Sequence, residues 1–187
     1  MEYFDIVDEN GIPTGETIER SIAHSNGSLH RSAHIWIYRI VDGHVEVLLQ
    51  KRSREKDSFP GCYDTSSAGH ITAGDEPITA ALRELSEELG IQAAPEDLTF
   101  IGTFPIHFTR EFHGKLFVDR EIAFVHVYTK PVRIEELTLQ AEELESVAWF
   151  ELDELYNRCR KNDPQICVPL AGLDVLRQYL FTSQARE

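Results

Sequence analysis

The sequence has little of what marks secreted, membrane-spanning or disulfide-framed proteins. It contains three cysteines and one methionine in 187 residues, and an odd number of cysteines without metal-type spacing indicates neither a disulfide framework nor a zinc site. No stretch approaches the roughly 18 to 20 apolar residues needed to cross a bilayer. Residues 1–16 are acidic and have no basic segment before an apolar run, so we expect no signal peptide, no membrane partner and a cytoplasmic location.

Positive charge is scarce as well. Acidic residues number 32 against 18 lysines and arginines, which gives a formal net charge of −14. Nucleic acids require a basic footprint, so we expect no nucleic-acid partner. A local concentration of positive charge runs from Lys51 to Lys56, and such a cluster in a cleft can attract a small anionic substrate. From this run we select Lys51 and Arg52 as candidate substrate-binding residues.

Hydrophobic patterns and turn residues predict a single domain over residues 1–187. An N-terminal hairpin is expected within about residues 1–30, and Asp42-Gly43 and His113-Gly114 are expected to form turns between strands. Predicted strands lie near 33–40, 45–51, 98–108, 115–129 and 146–150. Predicted helices lie near 77–89 and, within the C-terminal part at about 152–182, near 152–162 and 168–182.

The residues from Gly69 to Ile91 are the most informative stretch of the chain. Apolar residues recur there at steps of four, three and four, which is the helical period. Pro77 suits a first helical turn and Gly90 suits the end of a helix. Three glutamates at positions i, i+3 and i+4 then share the face opposite the apolar stripe; they are Glu84, Glu87 and Glu88.

Clustered glutamates of this kind have two interpretations. Neighbouring like charges on a helix cost roughly 0.2–0.5 kcal/mol per pair, so the cluster needs either a compensating cation or plentiful water. Hard divalent metals such as Mg²⁺ take oxygen ligands and bridge to substrate phosphates. The loop from Gly69 to Gly74 favours a ligand site over a solvated acidic surface, because its glycines let backbone groups approach a ligand closely.

Loop and helix together resemble the signature of the Nudix hydrolases. Gly69 is followed after five residues by Asp75 and after seven more by RELSEELGI at residues 83–91. Asp75 is the single departure, because the family normally has glutamate there. The resemblance implies an α/β fold, the Nudix-type α/β/α sandwich with a mixed sheet and one catalytic helix, and a Mg²⁺ or Mn²⁺ cofactor. It implies metal binding by the carbonyl of Gly69 and by Glu84, Glu87 and Glu88, with Arg83 orienting a glutamate.

A second resemblance points to the isopentenyl-diphosphate isomerase-like branch of that superfamily. It rests on the segments LHRSAHIWIYRI, LLQKRSREKDSFPGCYDTSSAGHITAGD and VDREIAFVHVY. In the isomerases a metal lies among three histidines and two carboxylates, and a catalytic cysteine lies two residues before the third histidine. This chain has Ala68 at the cysteine position, so hydrolysis is favoured over isomerisation. The residues at the matching metal positions are His24, His30, His70, Asp119 and Glu121, and His70 is also a candidate substrate-binding residue.

We therefore predict a metal-dependent hydrolase that cleaves a diphosphate linkage by attack of water at phosphorus. Its substrate is expected to be a nucleoside diphosphate derivative or a related small diphosphate. The general base is assigned to Glu143, which lies in an acidic stretch before a strand, where the family places a distal carboxylate. Glu87 and Glu88 are also predicted to be catalytic residues. An isopentenyl-diphosphate isomerase and a non-catalytic nucleotide-binding module remain alternatives, and a homodimer is left open.

Overall fold

The computed structural model describes residues 2–184 as an N-terminal hairpin, a larger mixed sheet and four α-helices. The strands are β1 (Tyr3–Val7), β2 (Pro13–Glu19), β3 (His30–Val41), β4 (His44–Arg52), β5 (Tyr63–Asp64), β6 (Ser67–His70), β7 (Leu98–Phe112), β8 (Lys115–Tyr128) and β9 (Leu144–Glu151). The helices are α1 (Arg20–Asn26), α2 (Pro77–Leu89), α3 (Leu152–Arg160) and α4 (Leu170–Gln184), and short 3₁₀ turns lie at Pro95–Asp97 and Ile134–Glu136.

The large sheet is mixed. Its strand order is β5-β4-β3-β8-β7, with β6 paired to β3 and β9 paired to β4. β3 and β8 run parallel, with His30 opposite Glu121, whereas β6 runs antiparallel to β3, with Ser32 opposite His70. The ends of three neighbouring strands therefore bring polar side chains to one edge of the sheet.

Helices cover both faces of this sheet. Alternate residues of β3 point to opposite faces, as the strand period of two requires. Ile35 and Ile37 pack in a buried cluster with Leu85 of α2, whereas Trp36 packs in a second cluster with Leu173 of α4. Two separate cores on the two faces confirm the expected α/β/α sandwich.

The two predicted turns have the backbone conformation that their sequences favour. Asp42 and Gly43 have φ angles of 50° and 81°, and His113 and Gly114 have φ angles of 52° and 73°. Positive φ at both central residues is the requirement of a tight two-residue hairpin turn, which matches the right-handed twist of the flanking strands. The β3-β4 and β7-β8 hairpins are closed at these positions.

The short elements differ most from the predictions. The hairpin expected within about residues 1–30 is formed by β1 and β2, and it is followed by helix α1, which was not predicted. This helix has seven residues and no side-chain N-cap, so its sequence signal is weak. β5 and β6 are two and four residues long and were not expected. Helix α4 begins at Leu170 rather than near residue 168, because Pro169 holds the residue before it in an extended conformation.

Within residues 2–184, no helix combines the length and the apolar character needed to cross a bilayer.

Candidate active site

A polar cavity of about 300 Å³ lies between α2, the ends of β3, β6 and β8, and the loop that follows β4. Its walls carry both acidic and basic side chains. They also carry an apolar section that includes Phe59, Phe108 and Phe117. The predicted site residues that line it are Arg52, Gly69, His70, Arg83, Glu84, Glu87, Glu88 and Glu143.

Helix α2 divides its residues between the core and the cavity. Leu85 and Leu89 are fully buried against the sheet, and this apolar packing supplies most of the stability of such a helix. Glu84 and Glu88, on the opposite side, line the cavity and are buried, whereas the side chain of Glu87 is about half exposed. The helix thus presents two sheltered carboxylates and one solvated carboxylate to the same cavity.

Arg83 holds the carboxylates and the neighbouring strand together. One guanidinium nitrogen lies 2.7 Å from Glu84 Oε1 and 3.3 Å from Glu87 Oε2, and the other donates to the carbonyl of His70 at 2.9 Å. A planar guanidinium can satisfy several acceptors at fixed angles. Its contacts are with protein groups, so Arg83 is placed to orient the glutamates.

Glu88 is fixed from the β6 side. Its Oε2 accepts a hydrogen bond from the hydroxyl of Ser67 at 2.6 Å and from the backbone N–H of Ala68 at 3.2 Å. Gly69 is the next residue of this strand, and a Cβ there would overlap the carboxylate of Glu84. A larger residue at this position would therefore displace the Glu84 carboxylate from its present place against β6.

The buried glutamates have strongly perturbed acidities. Burial raises the pKa of Glu84 to about 7, against the opposing effect of Arg83. Burial together with the charge of Glu84 raises the pKa of Glu88 to about 8. Without a cation, the two side chains therefore keep part of their protons at neutral pH. A divalent cation between them would remove the cost of ionising both.

A second cluster, built from histidines and carboxylates, adjoins this cavity, and its members His70, Asp119 and Glu121 line the cavity wall. His24 Nε2 lies 3.6 Å from Asp119 Oδ1, and His70 Nε2 lies 3.2 Å from Glu121 Oε1. His30 Nε2 lies 3.7 Å from Glu121 Oε1 and 3.9 Å from Asp119 Oδ1. One potential ligand atom from each of His24, His30, His70 and Glu121 lies within 4.8 Å of the others.

Four separate elements build this second cluster. His24 comes from α1, which ends at Gly27 with a φ of 72°; His30 then opens β3. Asp119 and Glu121 lie two residues apart on β8 and face the same side, as the strand period requires. The five-residue interval between His24 and His30 is accommodated because a helix end and a turn separate them.

Several polar atoms of the second cluster are unsatisfied. Among the described residues, His24 Nε2, His30 Nε2 and Asp119 Oδ1 are buried without a hydrogen-bond partner. Burial lowers the pKa of His24 to about 3, with the neighbouring His70 and His30 acting in the same direction. Burial and the adjacent carboxylate of Glu121 raise the pKa of Asp119 to about 9. Neutral imidazoles and converging carboxyl groups are the donor set that a divalent transition metal requires.

The two predicted phosphate ligands lie in different places. Arg52 lines the cavity, where it is held by Asp64 at 3.0 Å and by the carbonyl of Ser58 at 3.0 Å. Lys51 is not among the cavity residues, and its ammonium pairs with Glu145 at 2.9 Å. The reason is the strand period: adjacent residues of β4 point to opposite sides.

Lys56 is a cavity cation that sequence reasoning did not select. It lies on the loop after β4 and pairs with Glu143, which reaches the cavity from the loop before β9. The backbone N–H of Ser53 donates to the carbonyl of Glu143 at 2.8 Å, which joins the two loops. Proximity to Arg52 in the basic run was a usable signal for Lys56, but its pairing with Glu143 depends on the tertiary fold.

The two departures from the expected family patterns have different positions. Ala68 lines the cavity, so a methyl group stands where an isomerase would have its thiol. Asp75 lies in the loop before α2 and is not among the cavity-lining residues; its carbonyl accepts a hydrogen bond from Arg31 at 3.1 Å. Only the first departure alters the chemistry of the cavity wall.

Comparison with known proteins connects this geometry to a family. The NUDIX domain family matches residues 29–167. The chain is 39% identical over 165 residues to Nudix hydrolase 3 of Arabidopsis thaliana, covering 87% of this chain but only 21% of that protein. It is 37% identical over 154 residues to an uncharacterized Nudix hydrolase of Clostridium acetobutylicum, covering 82% of this chain and 72% of that protein.

Isomerases and solved structures are also among the similar proteins. An isopentenyl-diphosphate Delta-isomerase of Streptomyces avermitilis is 32% identical over 174 residues, covering 92% of this chain and 82% of that protein. A protein of Deinococcus radiodurans shares the fold, with a TM-score of 0.66, 16% identity and coverage of 94% and 98% of the two chains. An Ap4A hydrolase of C. elegans has a TM-score of 0.54, 22% identity and coverage of 81% and 98%. The chain therefore belongs to the Nudix family and carries the domain of the Nudix hydrolases.

Proposed function

We propose that this protein is a Mg²⁺- or Mn²⁺-dependent diphosphohydrolase that cleaves a diphosphate linkage by attack of water at phosphorus. The observation that carries the proposal is the convergence of two opposite charge patterns on one cavity. Glu84, Glu87 and Glu88 form one wall, and Arg52 and Lys56 stand in the same cavity. Acidic residues that hold a cation and basic residues that hold phosphate oxygens are the two requirements of phosphoryl chemistry.

The residues of the α2 face fit a hard divalent cation. Buried carboxylates with raised pKa values are ligands whose charge is not yet compensated, and Glu84 and Glu88 are of this kind. The carbonyl of Gly69 and the more exposed Glu87 complete an all-oxygen donor set. When bound there, the cation lowers the pKa of water and neutralises charge on phosphoryl oxygens.

The remaining residues divide the work of positioning and proton transfer. Arg83 fixes the angles of Glu84 and Glu87, and Ser67 fixes Glu88. Arg52 and Lys56 hold the phosphate groups of the substrate. Glu143 is the proposed base, and its pairing with Lys56 holds its carboxylate at the cavity wall. A phosphate that takes over Lys56 would release Glu143 to accept a proton from water.

The substrate is proposed to be a nucleoside diphosphate derivative or a related small diphosphate. The C. elegans protein with the same fold is an Ap4A hydrolase, which supports a phosphoanhydride substrate without identifying it. In this cavity the phosphates would lie toward Arg52 and Lys56. The apolar wall that includes Phe59, Phe108 and Phe117 would receive the organic group, because burying aromatic surface favours apolar ligands.

A second candidate function is isomerisation of isopentenyl diphosphate. The cluster of His24, His30, His70, Asp119 and Glu121 fits a divalent transition metal, because its unsatisfied buried nitrogens and carboxyl oxygens converge. The similarity to named isomerases points the same way. Ala68 opposes this function, since it offers no proton to a carbon centre. We propose that the histidine cluster is a second cation site in a hydrolase, and we regard a non-catalytic nucleotide-binding module as the third alternative.

A product-release assay tests these proposals. The purified protein is incubated with Mg²⁺ or Mn²⁺ and a panel of ADP-ribose, NADH, dinucleoside polyphosphates, nucleoside triphosphates and isopentenyl diphosphate. Metal-dependent cleavage of one member supports the hydrolase, and the cleaved member names the substrate class. Conversion of isopentenyl diphosphate to its isomer would replace the proposal with the isomerase. Binding of a nucleotide without turnover would instead support the non-catalytic nucleotide-binding module.

Four features of the sequence interpretation stay predictions. Residues 1–187 are proposed to form one domain, of which residues 29–167 match the family. A cytoplasmic location, the absence of a nucleic-acid partner and a homodimeric assembly are not tested by the fold. Analytical ultracentrifugation of the purified protein would decide the last of these.

A further inference from the structure

Two of the three cysteines lie side by side at the edge of the cavity. Cys62 ends the loop that follows β4, and Cys167 lies in the segment before α4. Backbone hydrogen bonds fix the two segments against each other: Tyr63 N–H donates to the carbonyl of Gln165 at 2.8 Å, and Cys167 N–H donates to the carbonyl of Tyr63 at 2.8 Å. A parallel bridge also joins Tyr63 to Ile166. The neighbourhood of the two cysteines is therefore set by the fold.

The two thiols lie on adjoining segments, and each donates to a backbone carbonyl of the other's segment. They are close enough that each shifts the pKa of the other. Cys62 Sγ lies 3.5 Å from the carbonyl of Pro164, and Cys167 Sγ lies 3.4 Å from the carbonyl of Tyr63. A disulfide requires the two side chains to approach closely with a specific geometry. The backbone pairing of the two segments and the reach of each thiol into the other segment place the side chains for such an approach.

The environments of the two thiols differ in a way that assigns them separate roles. The hydrogen bond to Cys167 lowers the pKa of Cys62 to about 7, and the positive charges of Arg52 and Arg110 act in the same direction. The hydrogen bond to Cys62 and burial raise the pKa of Cys167 well above its usual range. The thiolate is the reactive form of cysteine. Cys62 is therefore the attacking sulfur and Cys167 the resolving sulfur.

We propose that Cys62 and Cys167 form a redox-modification site at which a hydroperoxide converts the thiol pair to a disulfide. In the first step the Cys62 thiolate attacks one peroxide oxygen, the O–O bond breaks, and a sulfenic acid forms while hydroxide leaves and is protonated to water. In the second step the sulfur of Cys167 attacks the sulfenic sulfur, the S–S bond forms, and a second water leaves. Two thiols lose two electrons and two protons, and one hydrogen peroxide becomes two waters.

The disulfide would join two walls of the cavity. Residues 53–62 carry Lys56 and Phe59, which line the cavity, and Cys167 and Pro169 line it from the other side. A cross-link between residues 62 and 167 closes a long loop, and such a cross-link restricts the unfolded chain. The oxidised protein is therefore expected to unfold at a higher temperature than the reduced protein, with the loop after β4 held in place.

The test uses the full chain, reduced and then treated with hydrogen peroxide. Intact mass spectrometry should show the loss of two hydrogen atoms, and a peptide map without reductant should contain one cross-linked pair joining Cys62 to Cys167. The thermal midpoint should rise on oxidation and return after treatment with dithiothreitol. Cys159→Ser is the matched control, because burial raises the pKa of Cys159 to about 11, and it should behave as the unchanged protein does.

The variants assign the order of events. Cys167→Ser should stop at a sulfenic acid on Cys62, which dimedone captures, and Cys62→Ser should form no cross-link within the chain. A cross-link that includes Cys159, sulfinic acid on Cys62 without a disulfide, or thiols that survive peroxide would overturn the proposal. These readouts are made on the full-length chain and its cysteine variants, and they require no turnover. The redox site and the hydrolase are therefore tested independently.

Discussion

Two clusters of candidate metal ligands, one lining the cavity and one adjoining it, differ in origin and in chemistry. The α2 cluster consists of Glu84, Glu87 and Glu88, all within five residues of one helix. The histidine cluster draws on α1, β3, β6 and β8 and mixes imidazole nitrogens with carboxylate oxygens. Oxygen-only sites suit Mg²⁺, whereas imidazole suits transition metals. The protein therefore offers neighbouring sites that suit different classes of divalent cation.

The comparison also shows how differently the two clusters are held. Arg83 supplies a cation to the α2 cluster, and Ser67 and the Ala68 N–H supply hydrogen-bond donors. The histidine cluster contains buried atoms with no such partners among the described residues. A group left unsatisfied in a buried site costs about 1–3 kcal/mol. The histidine cluster consequently has more to gain from a bound cation.

Replacing the α2 ligands should have the largest effect on turnover. Glu87→Gln with Glu88→Gln should lower kcat about 1,000-fold, equivalent to ~4 kcal/mol, because amides are poor ligands for a hard cation. Circular dichroism should show an intact fold, and the matched control is Glu136→Gln, an exposed glutamate paired with Arg133 outside the cavity. Turnover equal to that of the control would remove the α2 cluster from the mechanism.

Replacing the histidine ligands separates the two clusters. His24→Gln with His30→Gln should change Mg²⁺-dependent hydrolysis by less than about tenfold, because a hard cation on α2 does not use imidazole. Binding of Mn²⁺ or Zn²⁺, measured by calorimetry, should lose one site. Loss of hydrolysis with the fold intact would show instead that both clusters act as one centre.

The pH dependence of stability follows from the raised carboxyl pKa values. Glu84, Glu88 and Asp119 bind more protons in the folded than in the unfolded protein, so their contribution is present at low pH and is lost as pH rises through their folded pKa values. His24 has a lowered pKa and acts oppositely, but only below about pH 7. Between about pH 7 and pH 9 the metal-free protein should lose roughly 2–4 kcal/mol of unfolding free energy.

Urea unfolding at a series of pH values, with and without a metal chelator, measures this effect. Added Mg²⁺ should flatten the curve, because a cation stabilises the ionised carboxylates. Metal binding near neutral pH should also release protons, which calorimetry in buffers of different ionisation enthalpy detects. Stability that rises from about pH 7 to pH 9 without metal would contradict the assigned protonation.

Arg83→Lys tests whether Arg83 positions the glutamates of the α2 cluster. Lysine keeps the charge but cannot contact Glu84, Glu87 and the carbonyl of His70 with one planar group. Metal affinity should fall by about 10- to 100-fold, as is usual when a group that orients a ligand is lost. Arg133→Lys, on the surface, is the control. An unchanged dissociation constant for Mn²⁺ would mean that Arg83 does not position the ligands.

The smallest expected effect is on KM, and it should differ between the two lysines of the basic run from Lys51 to Lys56. Lys56→Ala should raise KM by about tenfold, because a phosphate contact near a protein surface is worth on the order of 1–2 kcal/mol. Lys51→Ala should leave KM unchanged, since Lys51 pairs with Glu145 outside the cavity. Steady-state kinetics of both variants decides between them, and equal KM values would place the phosphate elsewhere.

Local features of this protein were readable from the sequence. Helix α2 runs from Pro77 to Leu89 as its periodicity, its proline and its C-terminal glycine predict, and the Asp42-Gly43 turn closes its hairpin. Such features depend on residues a few positions apart, so propensity and spacing determine them. The three glutamates share a face of α2 for the same reason.

Features that join distant residues were decided by the tertiary structure. The sequence suggested ligands for a second site only by resemblance, whereas the parallel register of β3 and β8 sets His30 opposite Glu121, and α1, too short to carry a clear signal, brings His24 to them. The loop pairing of Lys56 with Glu143 joins residues 87 positions apart. Backbone pairing between their segments likewise places Cys62 near Cys167. Packing and burial select these contacts and shift the pKa values there, and neither can be read from a single segment of chain.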